Sequence, residues 1–222
     1  MKFAELDALV VDGQIADAMK LYEAESIRLQ GDSTPIEQFR WAEHAAKLNI
    51  PDAISAVFNA YQSGEGVEPN DARAFAWLKH GASQKGGERF HLELALAYRD
   101  GHGTEIDVPK FWKYMKNAAQ VEGGREAMYF LALAHEDPEL GDLSQRRSLR
   151  WTSRMADDGA AGAMTKLARH FAQTGNDTDR QTALEWAEKA AAAAKSDVAA
   201  AIASKSDPLV KPPEDWVYEQ CR

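Results

Sequence analysis

"SGEGVEPNDARAFAWLKHGA", residues Ser63 to Ala82, sets a glycine pair, a proline and an Asn-Asp step directly in front of an apolar run that carries Trp77. A chain that reverses between two helices needs residues tolerant of positive φ where the first helix ends and a side-chain cap where the second begins. Gly64 and Gly66 supply the first requirement, and Asn70 or Asp71 the second. The stretch reads as the joint between two antiparallel helices, and its recurrence along the chain decides the fold.

Aligned against itself, the chain shows one large aromatic per unit, at Trp41, Trp77, Tyr114, Trp151 and Trp186, separated by 36, 37, 37 and 35 residues on subtraction. Two residues before each anchor stand Phe39, Phe75, Trp112, Leu149 and Leu184. Four and five residues after it come mostly small residues: Ala45-Ala46, Gly81-Ala82, Ala118-Ala119, Met155-Ala156 and Ala190-Ala191. A bulky wedge beside a small-residue notch predicts close approach of the next helix. Tyr61, Tyr98, His135 and Phe171 close the first four units, preceded on the same helical face by Val57-Phe58, Leu94-Ala95, Leu131-Ala132 and Leu167-Ala168. The units end in "SGEGVEPND", "DGHGTEIDV", "EDPELGDLS" and "TGNDTD".

Helix starts are legible as well. Thr34-Pro35-Ile36-Glu37 combines an N-cap threonine, a first-turn proline and a glutamate able to return to the cap. Asp107, Ser144 and Thr178 open further helices, each expected to run about four turns. No segment sustains the period-two alternation of a strand. The predicted fold is all-α, built of antiparallel helix pairs.

The turn Gly64-Glu65-Gly66-Val67 and the "A-x-A-W-x-x-x-G-A" run from Ala74 to Ala82 together resemble the Sel-one-like repeat (SLR), a helix-pair relative of the tetratricopeptide repeat. The resemblance spans Ile36 to Ala203 and is most specific from Ala53 to Gly124. It departs from the family at Thr104, where valine is favoured, at Pro138 and Gly141, which replace the glycine pair, and at the shortened Gly175-Asn176-Asp177 turn. Residues 1–33 look more like a tetratricopeptide hairpin and are expected to cap the stack, with the solenoid at 34–205 and a tail at 206–222. The tail holds three prolines in "DPLVKPPEDWVYEQCR", so it cannot continue the pattern. Trp216 and Tyr218 either fold back over the last helices or form a short peptide that a partner reads. The resemblance implies a right-handed α/α superhelical solenoid of stacked antiparallel helix pairs, about a dozen helices in one continuous domain, acting as a non-enzymatic adaptor or scaffold that binds another protein or peptide. Some bacterial members are linked to secretion systems, effectors or host contact, so an immunity or adaptor protein for a toxin or effector is the alternative.

Composition is compatible with this. The 222 residues are 45% apolar and 27% charged, ordinary values for a globular chain. A formal charge of −9 argues against nucleic acid or an anionic membrane as principal partner. Cys221 is the only cysteine, which leaves neither a disulfide framework nor a cysteine metal cluster and suits a reducing compartment. Glu5, Asp7 and Asp12 interrupt the N-terminal apolar stretch, and no span has the roughly 20 apolar residues of a membrane helix. The expected compartment is the cytoplasm.

Two surfaces are candidates for a partner. On the first helix of each unit the face opposite the core falls at Ser55 and Asn59, Leu92 and Leu96, Tyr129 and Leu133, then Thr165 and Arg169. Leu92, Leu96, Tyr129 and Leu133, flanked by Arg99 and Arg169, form either an apolar patch in the concave groove or simply core between neighbouring units. Arg146, Arg150 and Arg154 recur at i, i+4 and i+8 and form either a dock for an acidic partner or a solvated helix face. Enzymatic signals are weak. "GDS" at Gly31 to Ser33 has the order of an esterase nucleophile block, the basis of a hydrolase alternative, but it precedes a helix cap rather than following a strand. The six histidines show no H-E-x-x-H or comparable metal spacing, and no cofactor is expected. His135 takes the place of an aromatic and reads as structural; His102 lies in a glycine turn and is expected to be exposed.

Overall fold

The computed structural model describes residues 2–121, 123–174 and 177–204, and every element among them is helical. The chain divides into two compact units, Met1–Ser148 and Leu149–Arg222. The expected tail at 206–222 lies outside the described residues.

The first unit runs α1 (Phe3–Val11), α2 (Ile15–Asp32), α3 (Pro35–Lys47), α4 (Pro51–Ser63), α5 (Asp71–Ala82), α6 (His91–Asp100), α7 (Val108–Ala118) and α8 (Arg125–Ala134), up to the first turn of α9 (Gln145–Asp157). Each helix from α1 to α8 packs on the next in sequence, the nearest-neighbour pattern of a solenoid. Gly13, at φ +74°, breaks the chain between α1 and α2. Trp41 of α3 seats this hairpin: it is 1% exposed, stacks on Tyr22 at 6.0 Å and donates its indole N–H to the Tyr22 carbonyl at 3.3 Å. The expected capping box at Thr34 and Glu37 is formed, with the Thr34 amide donating to Glu37 Oε2 at 2.9 Å.

The joints share one set of backbone and cap hydrogen bonds. α4 ends at Gly64 and α6 at Gly101, both left-handed. The N-cap amides of Asn70, Asp107 and Ser144 donate to the carbonyls of Tyr61, Tyr98 and His135, each at 2.8 Å. The cap side chains accept from the third amide inside the next helix: Asn70 Oδ1 from Arg73 and Asp107 Oδ1 from Lys110 at 2.9 Å, Ser144 Oγ from Arg147 at 3.3 Å. Rings cross at the same register, Phe39 on Tyr61 at 5.5 Å and Phe75 on Tyr98 at 5.3 Å, both edge to face. In the third joint, where Pro138 and Gly141 replace the glycine pair, Trp112 stacks on His135 at 4.6 Å. Trp112 also donates its indole N–H to the Leu140 carbonyl at 3.1 Å, and His135 donates Nδ1–H to the Asp142 carbonyl at 2.9 Å. His135 is 2% exposed, so its role is structural as read from the sequence.

The second unit holds the remainder of α9, α10 (Ala161–Thr174) and α11 (Asp177–Ser204). Its entry turn copies an earlier one: Ala160 N–H bonds the Met155 carbonyl at 3.0 Å as Ile50 N–H bonds that of Ala45 at 3.2 Å. α10 and α11 pack together through Met164, Leu167 and Ala183. α11 opens at Asp177, so Thr178, expected as a cap, falls in its first turn. It runs for 28 residues instead of about four turns, because its alanine-rich sequence has high helix propensity and holds no glycine or proline to stop it.

The anchor aromatics depart from their expected place. Trp41 is core, but Trp77, Tyr114, Trp151 and Trp186 are half-buried and Leu184 is exposed. The buried stripe passes instead through Ala74, Leu78 and Gly81 on α5 and through Phe111, Met115 and Ala118 on α7. Three residues before, one after and four after the anchor lie on one helical stripe, and the anchor sits at its edge.

Candidate functional site

Two cavities open on the first unit, and they occupy equivalent places in successive repeats. One, of about 500 Å³, lies among α2, α3 and α4; the other, of about 290 Å³, lies among α4, α5 and α6. Phe39 in the first corresponds to Phe75 in the second, Ala56 to Glu93, Asn59 to Leu96, and Glu65 to His102. Larger side chains at the equivalent positions, Glu93 for Ala56 and Leu96 for Asn59, account for the smaller second cavity. Each is lined by one second helix and the two first helices on either side of it.

The sequence-derived patch divides in the structure. Leu96 lines the second cavity, Leu92 is half-buried, and both are distinct from the core of α6, which is Leu94, Ala95, Ala97 and Tyr98. Tyr129 and Leu133 on α8 are 50% and 39% exposed, at positions equivalent to Leu92 and Leu96. Arg99 makes a bidentate pair with Asp100 at 2.7 and 2.8 Å and lies 5.7 Å over the Phe130 ring, joining α6 to α8 rather than standing free. Arg169 is exposed and belongs to the second unit. Arg146, Arg150 and Arg154 are all exposed on α9, with the Arg154 guanidinium 5.8 Å over the Trp151 ring.

Glu93 is the residue the sequence reading missed. It lines the second cavity between Phe75, Leu78 and Leu96, half-buried, and its Oε2 is buried without a hydrogen-bond partner. Burial pushes its carboxyl above the usual range, opposed by its own backbone amide; Glu126 pushes it further up and Arg89 opposes. The available signal was its register, since the equivalents of Glu93 in the neighbouring units are Ala56 and Phe130. On the same helix, burial lowers the pKa of His91, whose Nδ1 has no partner and whose ring meets Tyr114 at 5.4 Å.

Ser33, the serine of the "GDS" run, is the C-cap of α2 and donates its hydroxyl to the Leu29 carbonyl at 2.6 Å. His102 is exposed, as expected. Among the described residues no group of three metal-ligating side chains converges, and no helix is long and apolar enough to cross a membrane.

A model of the Sel1 repeat matches residues 51–85, 125–159 and 161–195. It passes over 86–124, although α6 and α7 there repeat the joint geometry of α4 and α5. A solved Sel1 repeat protein from Oxalobacter formigenes is 20% identical, with 79% of this chain and 74% of that one covered at a TM-score of 0.62, a likeness of fold. A second solved structure, c5321, a protective antigen present in uropathogenic Escherichia coli strains and displaying an SLR fold, is 19% identical over 83% of this chain and 52% of its own, at a TM-score of 0.43. No curated protein matches the sequence. Repeats of this kind generally mediate protein–protein interaction and are typically non-catalytic. Residues 51–85, 125–159 and 161–195 are thus three Sel1 repeats, and the joints at Asn70 and Ser144 inside the first two share the same cap hydrogen bonds.

Proposed function

We propose that the chain is a non-enzymatic binding module that receives a segment of a partner protein on the face formed by α4, α6 and α8. The observation that carries this reading is the pair Tyr129 and Leu133, two large apolar side chains exposed one turn apart on α8. Their equivalents on α6 are Leu92 and Leu96, and Leu96 opens into the adjacent cavity. Isolated exposed apolar residues are ordinary on a surface, but a row of them beside a cavity is the form a peptide-binding face takes.

A photoreactive amino acid placed at Tyr129 and, in a second protein, at Ile106, which is also exposed but sits in a turn, tests the face. One discrete cross-linked partner from Tyr129 and none from Ile106 supports the reading. Equal labelling from both, or labelling that survives Leu133→Asp, removes it.

A further inference from the structure

The second cavity is lined by apolar and acidic side chains. Its walls are apolar at Phe58, Phe75, Leu78 and Leu96, and its ionisable lining is Asp71, Glu93, Asp100 and His102, with no lysine or arginine. Asp100 is already paired with Arg99. Glu93 is not paired: Oε2 has no partner, and Arg89, whose charge acts on it, bridges to Asp52 at 2.8 Å. The other charge acting on Glu93 is a further carboxylate, Glu126 on α8. A half-buried carboxylate among apolar walls, with acidic neighbours and the Arg89 guanidinium engaged by Asp52, lacks a counter-charge that an incoming ligand can supply.

We infer that the cavity among α4, α5 and α6 receives a lysine or arginine side chain of the partner segment, whose aliphatic stem lies along Phe58, Phe75 and Leu96 and whose charged head pairs with Glu93. A long basic side chain suits both features of the cavity, since its methylenes bury against apolar surface while its head keeps a charge. The requirement for a carboxylate and the apolar walls together exclude acidic and short polar side chains. The inference deepens the proposed binding face and rests on it. The acidic net charge of −9 adds a field that draws basic segments toward the protein.

A random dodecapeptide library panned on the full chain and on Glu93→Gln tests this. Peptides from the wild type are expected to share a lysine or arginine flanked by apolar residues, a preference that Glu93→Gln loses. For a selected peptide, fluorescence anisotropy should show about a tenfold loss of affinity on Glu93→Gln, about the same loss on replacing the basic residue by norleucine, and little further loss when both are made. Glu93→Leu, which keeps an apolar cavity wall, should behave like Glu93→Gln and guards against an effect of misfolding. Peptides without a basic residue that still depend on Leu133 would overturn the charge pairing and leave the binding face standing. Strictly additive losses would likewise overturn it, and failure to select any peptide would overturn both.

Discussion

Gly103 lies against the first residue of α5, so close that a Cβ on it would stand 2.0 Å from the Asp71 carbonyl oxygen and 2.9 Å from Phe75 Cβ. Gly66 lies in the same way on Pro35 and Phe39, at 2.1 and 3.0 Å. The first glycine of each pair ends a helix in the left-handed region, and the second lets the turn touch the helix one repeat back. This contact sets the spacing between repeats.

Gly103→Ala and Gly66→Ala should therefore be costly for two reasons. A left-handed alanine costs about 1–2 kcal/mol, and displacing a backbone neighbour adds about 1–3 kcal/mol. Gly13, also at positive φ but with nothing within 4 Å, should lose only the first of these on Gly13→Ala. Chemical denaturation of the three variants checks this, and equal losses at Gly13 and Gly103 would show that the turn does not bear on the repeat spacing.

Trp41→Ala should cost about 3–5 kcal/mol, since it empties a fully buried site and leaves the Tyr22 carbonyl without its indole donor. Trp77→Ala should cost less, about 1–2 kcal/mol, because only part of the ring is withdrawn from water. Melting curves rank the two, and an equal or larger loss at Trp77 would contradict the stripe through Ala74, Leu78 and Gly81.

The helical class, the joints and the caps at Thr34, Asn70, Asp107 and Ser144 were legible because each depends on residues close in sequence. The ring pairs were legible only as a column of aromatics, since spacing shows recurrence and not which ring meets which. The anchors were misplaced by one position on the core stripe because a bulky aromatic at the stripe's edge has the same period as one at its centre. Glu93 was passed over for a different reason. Its surroundings come from α4 and α5, more than ten residues upstream, and only its departure from Ala56 and Phe130 marked it.

Trp112 and His135 replace the edge-to-face pair of the earlier repeats with a stacked pair that reaches the following turn by hydrogen bonds. Trp112→Phe keeps an aromatic but removes the donor to the Leu140 carbonyl, and should cost about 0.5–1.5 kcal/mol. Phe75→Trp, at the equivalent place in the previous repeat, gains no such acceptor and should not raise stability. Hydrogen exchange at Gly141, whose amide bonds the Pro138 carbonyl in this turn, should quicken in Trp112→Phe alone. An unchanged rate would mean that the indole does not hold that turn.

Glu93 gives the first unit a pH dependence of unusual sign. Burial raises its carboxyl in the folded chain, so the folded form keeps its proton to a higher pH than the unfolded form does. Its contribution to stability is therefore full below the ordinary glutamate pKa of about 4.3 and is lost as pH rises through the higher folded value. Asp100, held low by Arg99, and Asp107, held low by Lys110, act in the opposite sense and lose stability as pH falls. Both are present in wild type and in Glu93→Gln, so the difference between the two proteins isolates Glu93. The melting temperatures should coincide in acid and separate toward neutral pH, with Glu93→Gln the more stable. A gap that stays constant with pH, or a variant less stable at neutrality, would show that Glu93 already has its counter-charge within the fold.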